Sequence, residues 1–489
     1  MTITFDNIPT NTRIPFAYIE FSNRSAKQGS SIQDYTVLVL GQKLSTGTKT
    51  ALEAVAVTSE SQAREYFGAG SQLFTMLKYF FKQNKTTSVV AIPVSDDGSG
   101  VAASGSVLFA GTATDSGAVY CYIAGKAYRI SVSSDDTAED VCAAMVAEIT
   151  DDVDSIVTAA VDGTTPEKMN LTARNKGVFG NEIDVRFNYY DDESTVAGIT
   201  HTITSFASGA VNPDIADVIA VLDETQYNII VMPWTDTSNL NTLKTELDDR
   251  WGPERQNDGH AIASKRGSYS GLLTFGDARN NKQETVIGWN GPTSPWDVAA
   301  QAAAEIAKQG SIDPAMPLQN IALATVLPPS KTDAFTNAER NLLLYDGIST
   351  LKTVGGAVYL ERIITTYQTN AQGADDTSFL SLESKLTLSA MRYDYRTDFY
   401  LKYPRHKLAN DGTRFGPGQQ VMTPKIGKAF GVTKFTQWED RGWVENFSQF
   451  KDDLICERNA DNPDRLDQLL APDLVNQLRV LGVQFQFLI

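Results

Sequence analysis

The stretch from Tyr35 to Val94 constrains the fold of this chain more than any other. Tyr35-Thr-Val-Leu-Val-Leu-Gly41 is a short and very apolar run, the pattern of a buried strand. Ser59 then stands as a cap on a helix ending at Phe67, Gly68-Ala-Gly-Ser71 turns into a second helix over Gln72–Lys82, and Ser88–Val94 is again an apolar strand. A strand–helix–strand order of this kind implies a parallel sheet.

The same alternation resumes after Pro213. Asp214–Leu222 is expected to be helical and Tyr227–Pro233 a buried strand. Ser238–Trp251 is an amphipathic helix, with Leu240, Leu243 and Leu247 at helical spacing. His260–Ala263 and Glu284–Gly288 are further strands. An Ala-rich helix follows over Pro295–Gln309, opened by Ser294-Pro295 and closed by Gly310. The expected core is a doubly wound sheet with helices on both faces.

Between these halves the texture changes at Ser95-Asp-Asp-Gly-Ser-Gly100. Residues 96–210 are rich in Ser, Thr, Val, Ala and Asp, and all six tryptophans lie at Trp234 or later. Short alternating strands (Ala118–Ile123, Ala127–Val132) and one helix (Thr137–Ile149) read as an inserted, mainly-β domain on the periphery. The last hundred residues read as an α+β region. A helix starts at Thr423-Pro424, Asn462-Pro-Asp-Arg-Leu-Asp467 turns, and a helix is expected over Leu474–Leu481. A terminal strand, Gly482–Ile489, carries Val483, Phe485, Phe487 and Ile489 on one face. The expected division is therefore an arm over 1–25, the α/β core over 26–95 and 211–380, and the insert over 96–210. An α+β domain over 381–480 and an arm strand over 481–489 complete it. At 489 residues several domains are expected, and 42% hydrophobic with 21% charged residues is an ordinary globular composition.

Charge is distributed unevenly. The chain has a formal net charge of −17, which argues against wrapping bare nucleic acid. Residues 96–210 carry 18 acidic against 6 basic side chains, whereas residues 392–434 carry nine basic against three acidic. This reads either as two surfaces of opposite sign or simply as uneven solvated faces. Three scattered cysteines, Cys121, Cys142 and Cys456, suit a reducing compartment. The N-terminus shows no basic-then-apolar signal pattern, and no apolar run approaches the ~20 residues that span a bilayer. The expectation is a soluble protein made in a cytoplasm, without a membrane or nucleic-acid partner.

An α/β middle invites an enzymatic reading, but the motifs are missing. Gly267-Ser-Tyr-Ser-Gly271 has Tyr where a nucleophile elbow needs Ser, and Gly68-Ala-Gly70 fails the dinucleotide fingerprint because position 73 is Leu. His260 with Ser268 or Ser270 is the one triad that can be imagined, and geometry decides triads. Acid clusters at Asp151-Asp152-Asp154 and Asp191-Asp192-Glu193 lack calcium-loop spacing. Arg392-Tyr-Asp-Tyr-Arg396, Tyr400 and Tyr403 have the composition that stacks on single-stranded nucleic acid, but their aspartates suit an acidic protein partner better. No catalytic, cofactor or metal residue is expected.

Several stretches, in order, resemble the tail sheath proteins of contractile phages, the Mu-like branch in particular. They include Ile14-Pro-Phe-Ala-Tyr-Ile-Glu20, Phe67-Gly-Ala-Gly-Ser-Gln72, Asp313-Pro-Ala-Met-Pro-Leu-Gln319 and Asn341–Thr350. Glu361–Asn370, Tyr403–Gly412, Asn462–Asp467 and Leu470–Leu478 continue the series, which is weakest over the insert. The resemblance implies a non-catalytic, subtilisin-like middle domain and extended terminal arms. It also implies hexameric rings stacked helically around a tail tube, with baseplate and tail terminator proteins as further partners. The expected place is the virion tail, after assembly in the host cytoplasm. A tailocin or other contractile injection device would use nearly the same subunit, and an α/β hydrolase is the remaining alternative. Strand exchange between copies is assigned to Ile14, Phe16 and Tyr18 at one end and to Val483, Phe485, Phe487 and Ile489 at the other, where an ordinary edge strand within the subunit is the alternative. Arg405, Lys407, Lys425, Lys428 and Lys434 are the expected tube-facing cations.

Overall fold

The computed structural model describes residues 33–488, so the expected N-terminal arm, with Ile14, Phe16 and Tyr18 assigned to strand exchange, lies outside it, as does Ile489. The described chain divides into two compact units, residues 34–390 with 476–488 and residues 391–475.

The larger unit is built on β1 (Thr36–Gln42), the apolar run that opens the sequence argument. After β2 (Val55–Ala56), α1 (Glu60–Phe67) and α2 (Gln72–Gln83) cross over to β3 (Ser88–Val94), which pairs parallel with β1. Ser59 and Ser71 cap the two helices by accepting the amide N–H of Gln62 and Phe74, the expected role for Ser at those positions.

The insert follows as β4 (Ser104–Gly111), β5 (Gly117–Ile123), β6 (Lys126–Val132), α3 (Ala138–Asp151), β7 (Val157–Val161), β8 (Lys168–Ala173), β9 (Val185–Phe187) and β10 (Ile199–Ala207). These strands pair only with one another, in an antiparallel sheet ordered β10-β4-β8-β7 and a second ordered β6-β5-β9. Thr137 and Asp140 form a capping box that starts α3.

The chain then returns through α4 (Ala216–Val221) to β11 (Ile229–Val231), α5 (Thr237–Trp251), β12 (His260–Arg266), α6 (Tyr269–Asp277), β13 (Glu284–Trp289) and α7 (Pro295–Ile312). It continues through β14 (Ile321–Leu323), α8 (Asn337–Tyr345), β15 (Ile348–Val354) and β16 (Ala357–Arg362) into α9 (Leu382–Lys402). The nine-stranded sheet runs β14-β16-β15-β13-β12-β11-β1-β3-β2. Its six central strands, β15 to β3, are all parallel. A Cβ added to Gly41 of β1 would meet Leu73 of α2 at 3.1 Å, and one added to Gly288 of β13 would meet Leu272 of α6 at 3.1 Å. The register places those two glycines on opposite sides of the sheet, so helices cover both faces.

One boundary departs from expectation. Gly310 does not end α7, which runs to Ile312 and is capped by Asp313. A Cβ at Gly310 would lie 3.1 Å from the Tyr35 ring and 3.4 Å from Leu386, so glycine serves close packing there instead of a helix stop.

The smaller unit contains the C-terminal half of α9, β17 (Lys407–Leu408), β18 (Val421–Met422), α10 (Pro424–Asp440), β19 (Val444–Glu445), α11 (Phe447–Asp453), β20 (Ile455–Arg458), β21 (Leu466–Leu469) and β22 (Asp473–Leu474). Its core is aromatic. Phe435 stacks on Phe450 at 4.2 Å, and Phe430 receives Tyr395, Phe399 and Tyr403 edge-on. The expected helix over Leu474–Leu481 is absent. Leu474 is taken into β22 by its pairing with Val444, and residues 475–488 carry no regular secondary structure.

Gly70 tests how the insert is seated on the sheet. Its φ is +75°, and a Cβ there would fall 2.2 Å from the carbonyl oxygen of Ser155 in the insert. Gly70→Ala is expected to cost roughly 1–3 kcal/mol through backbone strain and collision. A thermal melt unchanged from the parent would show that this seam is soft.

Candidate functional site

An open parallel sheet ordinarily presents a ligand crevice beyond the carboxyl ends of its strands, where the strand order reverses. Here the reversal lies at β1, which has β3 on one side and β11 on the other. The chain fills that position itself. Gln42, at the end of β1, donates from Nε2 to Asp96 at 2.7 Å and to the Lys176 carbonyl at 2.7 Å, and its Oε1 accepts from Trp234 Nε1 at 3.3 Å. Asn175 adds hydrogen bonds to Asp96 and to the Lys43 carbonyl. A buried, satisfied network of this kind locks the insert's 175–176 turn over the sheet.

The imagined triad does not assemble. His260 is buried and its Nε2 is shared with Thr285 Oγ1 at 2.8 Å, while Nδ1 has no hydrogen-bond partner. Burial, with Lys385 as the smaller influence, holds its pKa well below the ordinary value. Ser268 caps α6 and lies 3.3 Å from Ser270, and neither hydroxyl bonds to His260. Two members of the first acid cluster are held in ion pairs. Asp152 is bridged to Lys126, and Asp154 to Arg64 and Lys78. Among the described residues no cluster of metal-ligating side chains occurs. Tyr395 and Tyr403 belong to the aromatic core of the smaller unit, which removes them as a stacking platform.

What the larger unit does present is an apolar segment without cover. Val480, Phe485, Phe487 and Leu488 are exposed at 84%, 90%, 81% and 102%. Leu478, Leu481 and Val483 are exposed as well. The segment is pinned at its start. Arg479 donates to Glu383 at 2.6 Å and to Gln319 at 3.2 Å, and Gln319 returns a bond to the Leu478 carbonyl at 3.1 Å. Glu383 is fully buried and also accepts the Leu318 amide. This anchor holds the backbone at 478–479 by side chains instead of helical bonds, which is why the apolar spacing of Leu474, Leu478 and Leu481 does not become a helix. No sequence signal pointed to Arg479. Gly482–Leu488 forms no strand within the subunit.

In the smaller unit, β17 and β18 pair parallel, with Lys407 opposite Val421. Arg405 precedes β17, and Lys425 and Lys428 open α10, so the fold gathers four cations around the β17–β18 pair and the start of α10. Arg405, Lys407 and Lys425 are exposed and Lys428 is half-buried. Cations at a helix N-terminus oppose the macrodipole, a local cost of about 0.3–1 kcal/mol. Asp411 offsets part of it by accepting the Lys425 amide at 3.0 Å. Lys434, expected among the tube-facing cations, does not join them. It is completely buried between Asp394 and Asp398 and presents no charge to solvent. Sequence composition counts it with the basic run, because its two carboxylate partners stand on another helix, far along the chain.

A cavity of about 270 Å³ lies between the insert and helices α2 and α7, with Lys78, Tyr79, Lys126, Tyr128 and Asp297 among its lining residues. Burial pushes the Asp297 carboxyl up from its ordinary 3.8 to about 8, against weaker opposing pulls from Thr75 and Lys78. The folded state therefore keeps a proton that the unfolded chain releases, and stability is lost as pH rises from about 4 to about 8. Asp297→Asn is expected to melt progressively higher than the parent across that window and to hold a constant lead above it. A lead independent of pH would contradict this.

Comparison with known proteins fits a chain whose distinctive features are surfaces. The family model for the phage tail sheath protein central domain matches residues 208–366, and that for the phage tail sheath C-terminal domain matches residues 374–487. The chain is 43% identical over 491 residues to the Mu-like prophage FluMu tail sheath protein of Haemophilus influenzae, covering all of both sequences. The crystal structure of a sheath tail protein from Listeria innocua shares the mixed α/β multidomain fold. Its TM-score is 0.51 at 13% identity, over 92% of this chain and 94% of that one. The sheath complex of an extracellular contractile injection system, in its contracted state, gives a TM-score of 0.48 at 11% identity over 98% of each chain.

Proposed function

This chain belongs to the phage tail sheath protein family, and we propose that it polymerises helically, as hexameric rings, around a tail tube and shortens to drive that tube through the host envelope. As a tail sheath protein it is a structural component of the virion tail, one of the subunits that oligomerise into the polymeric sheath of a contractile tail. Its relatives are structural sheath proteins, not enzymes.

The observation that carries the finer reading is the uncovered apolar segment beyond Arg479. A run with Val483, Phe485 and Phe487 open to water is a liability in a lone subunit and an asset in a polymer. Added to the sheet of an adjacent copy, it satisfies its backbone by hydrogen bonds and its side chains by burial. The Arg479–Glu383 anchor keeps such a strand attached while subunits turn past one another. Ile14, Phe16, Tyr18 and Ile489 are assigned to the same exchange.

The sheet core is read as a doubly wound, subtilisin-like domain that carries load without chemistry. Arg405, Lys407, Lys425 and Lys428 are assigned to an acidic tube surface, a contact weakened by salt and therefore breakable. Baseplate and tail terminator proteins bound the polymer, and assembly takes place in the host cytoplasm. The extended sheath is a kinetically held state, and contraction is a rigid-body rearrangement of subunits. A drop of a few kcal/mol per subunit suffices when many coupled copies act together.

Removing Gly482–Ile489 is expected to abolish polymer formation in electron micrographs while circular dichroism remains that of a folded subunit. Polymers of normal length from the truncated chain would refute the exchange. Changing Arg405, Lys407, Lys425 and Lys428 together to Glu is expected to prevent assembly on the tube but to spare tube-free polymerisation. Loss of both would place the tube contact elsewhere.

A further inference from the structure

The smaller unit encloses a lysine with two carboxylates in an arrangement that none of the assembly roles uses. Asp394 and Asp398 stand four residues apart on α9, and Lys434 and Trp438 four apart on α10, so each pair shares one helix face. Lys434 Nζ lies 2.5 Å from Asp394 Oδ2 and 2.9 Å from Asp398 Oδ2. Trp438 Nε1 donates to the same Asp394 oxygen at 2.7 Å. The Lys434 and Asp394 side chains are wholly inaccessible, and Asp398 retains 13% exposure. Tyr395 packs on the Trp438 indole and, with Phe399, on Phe430.

Removing such charges from water offsets most of their mutual attraction, so a buried pair is a poor stabiliser by itself. Asp398 Oδ2 accepts a hydrogen bond from the same Nζ at 2.9 Å, which puts a proton acceptor in contact with the amine. The carboxyl carbon of Asp394 lies one bond beyond the oxygen that Nζ already touches, so amine and electrophile are held in contact, with translational and orientational freedom removed in advance.

We propose that Lys434 and Asp394 condense spontaneously into an amide, an isopeptide cross-link between α9 and α10, with Asp398 as the catalytic proton carrier. Asp398 takes a proton from the Nζ ammonium, and the freed lone pair attacks Asp394 Cγ. The indole N–H of Trp438 steadies the charge that develops on Oδ2, which remains as the amide oxygen. Oδ1 departs as water after receiving two protons from nitrogen by way of Asp398. One ammonium and two carboxylates thus become a neutral amide, one water and a regenerated Asp398 carboxylate. Of the three ammonium hydrogens, one stays on nitrogen and two leave in the water. No oxidant, metal or cofactor enters the balance, and exclusion of water disfavours the reverse hydrolysis. The link requires nothing of the polymer and stands apart from the assembly reading.

Mass spectrometry of the full-length purified protein decides the matter. The intact mass is expected to fall short of the sequence mass by one water. Tryptic digestion should yield Tyr393–Arg396 joined to Ala429–Arg441, with cleavage after Lys434 blocked. Lys434→Arg keeps a cation between the carboxylates but should restore the full mass, and Asp398→Asn should leave most chains unlinked. An unreduced parent mass, with Ala429–Lys434 and Phe435–Arg441 recovered separately, would overturn the proposal. So would the same water loss in Lys434→Arg, and a link to Thr397–Lys402 would overturn the choice of Asp394 as electrophile.

Discussion

Strand β1 is hydrogen-bonded on both edges, to β3 and to β11, and Val37 through Leu40 are completely inaccessible to solvent. A strand in that position must have helices above and below it, because neither face can be left to water. The crossover through α1 and α2, the return through α5 and α6, and the long Ala-rich α7 all answer that demand. Even the reversal of strand order at β1, the usual place for a ligand, is occupied by Gln42, Asp96, Asn175 and Trp234. The sheet is thereby a solid platform on which the insert is seated.

Ion pairs bind the insert to that platform. Asp154 meets Arg64 and Lys78 on one flank, while Asp184 meets Arg266 at 3.1 Å and Arg186 meets Asp333 at 3.5 Å on another. Tyr189 adds a hydrogen bond to the Pro328 carbonyl at 2.7 Å. Several of the acidic side chains that make residues 96–210 look like a separate, negatively charged surface are thus directed inward. The charge asymmetry of the sequence overstates what solvent encounters.

Much of the fold was legible because it rests on local chemistry. The caps Ser59, Ser71 and Thr137, the Pro at the start of α7 and α10, and the apolar runs of β1, β3, β12 and β13 each declare an element within a few residues. The misreadings came where a distant partner outweighs local pattern. Gly310 reads as a helix stop until Tyr35 and Leu386 are packed against it. Leu474, Leu478 and Leu481 have helical spacing, but β22 pairing and the Arg479 anchor claim the backbone first.

For the assembly surfaces the division is sharper. The order of elements, the apolar alternation at Val483, Phe485 and Phe487, and the number of cations between residues 392 and 434 are properties of the chain alone, since each depends only on residue type and spacing. Which of those groups face water was decided in three dimensions. Lys425 and Lys434 are indistinguishable as letters. The helical turn and the packing of α9 against α10 set one in solvent and seal the other between two carboxylates. Burial is a property of neighbours brought together by folding, and those neighbours lie too far along the chain for any local pattern to name them.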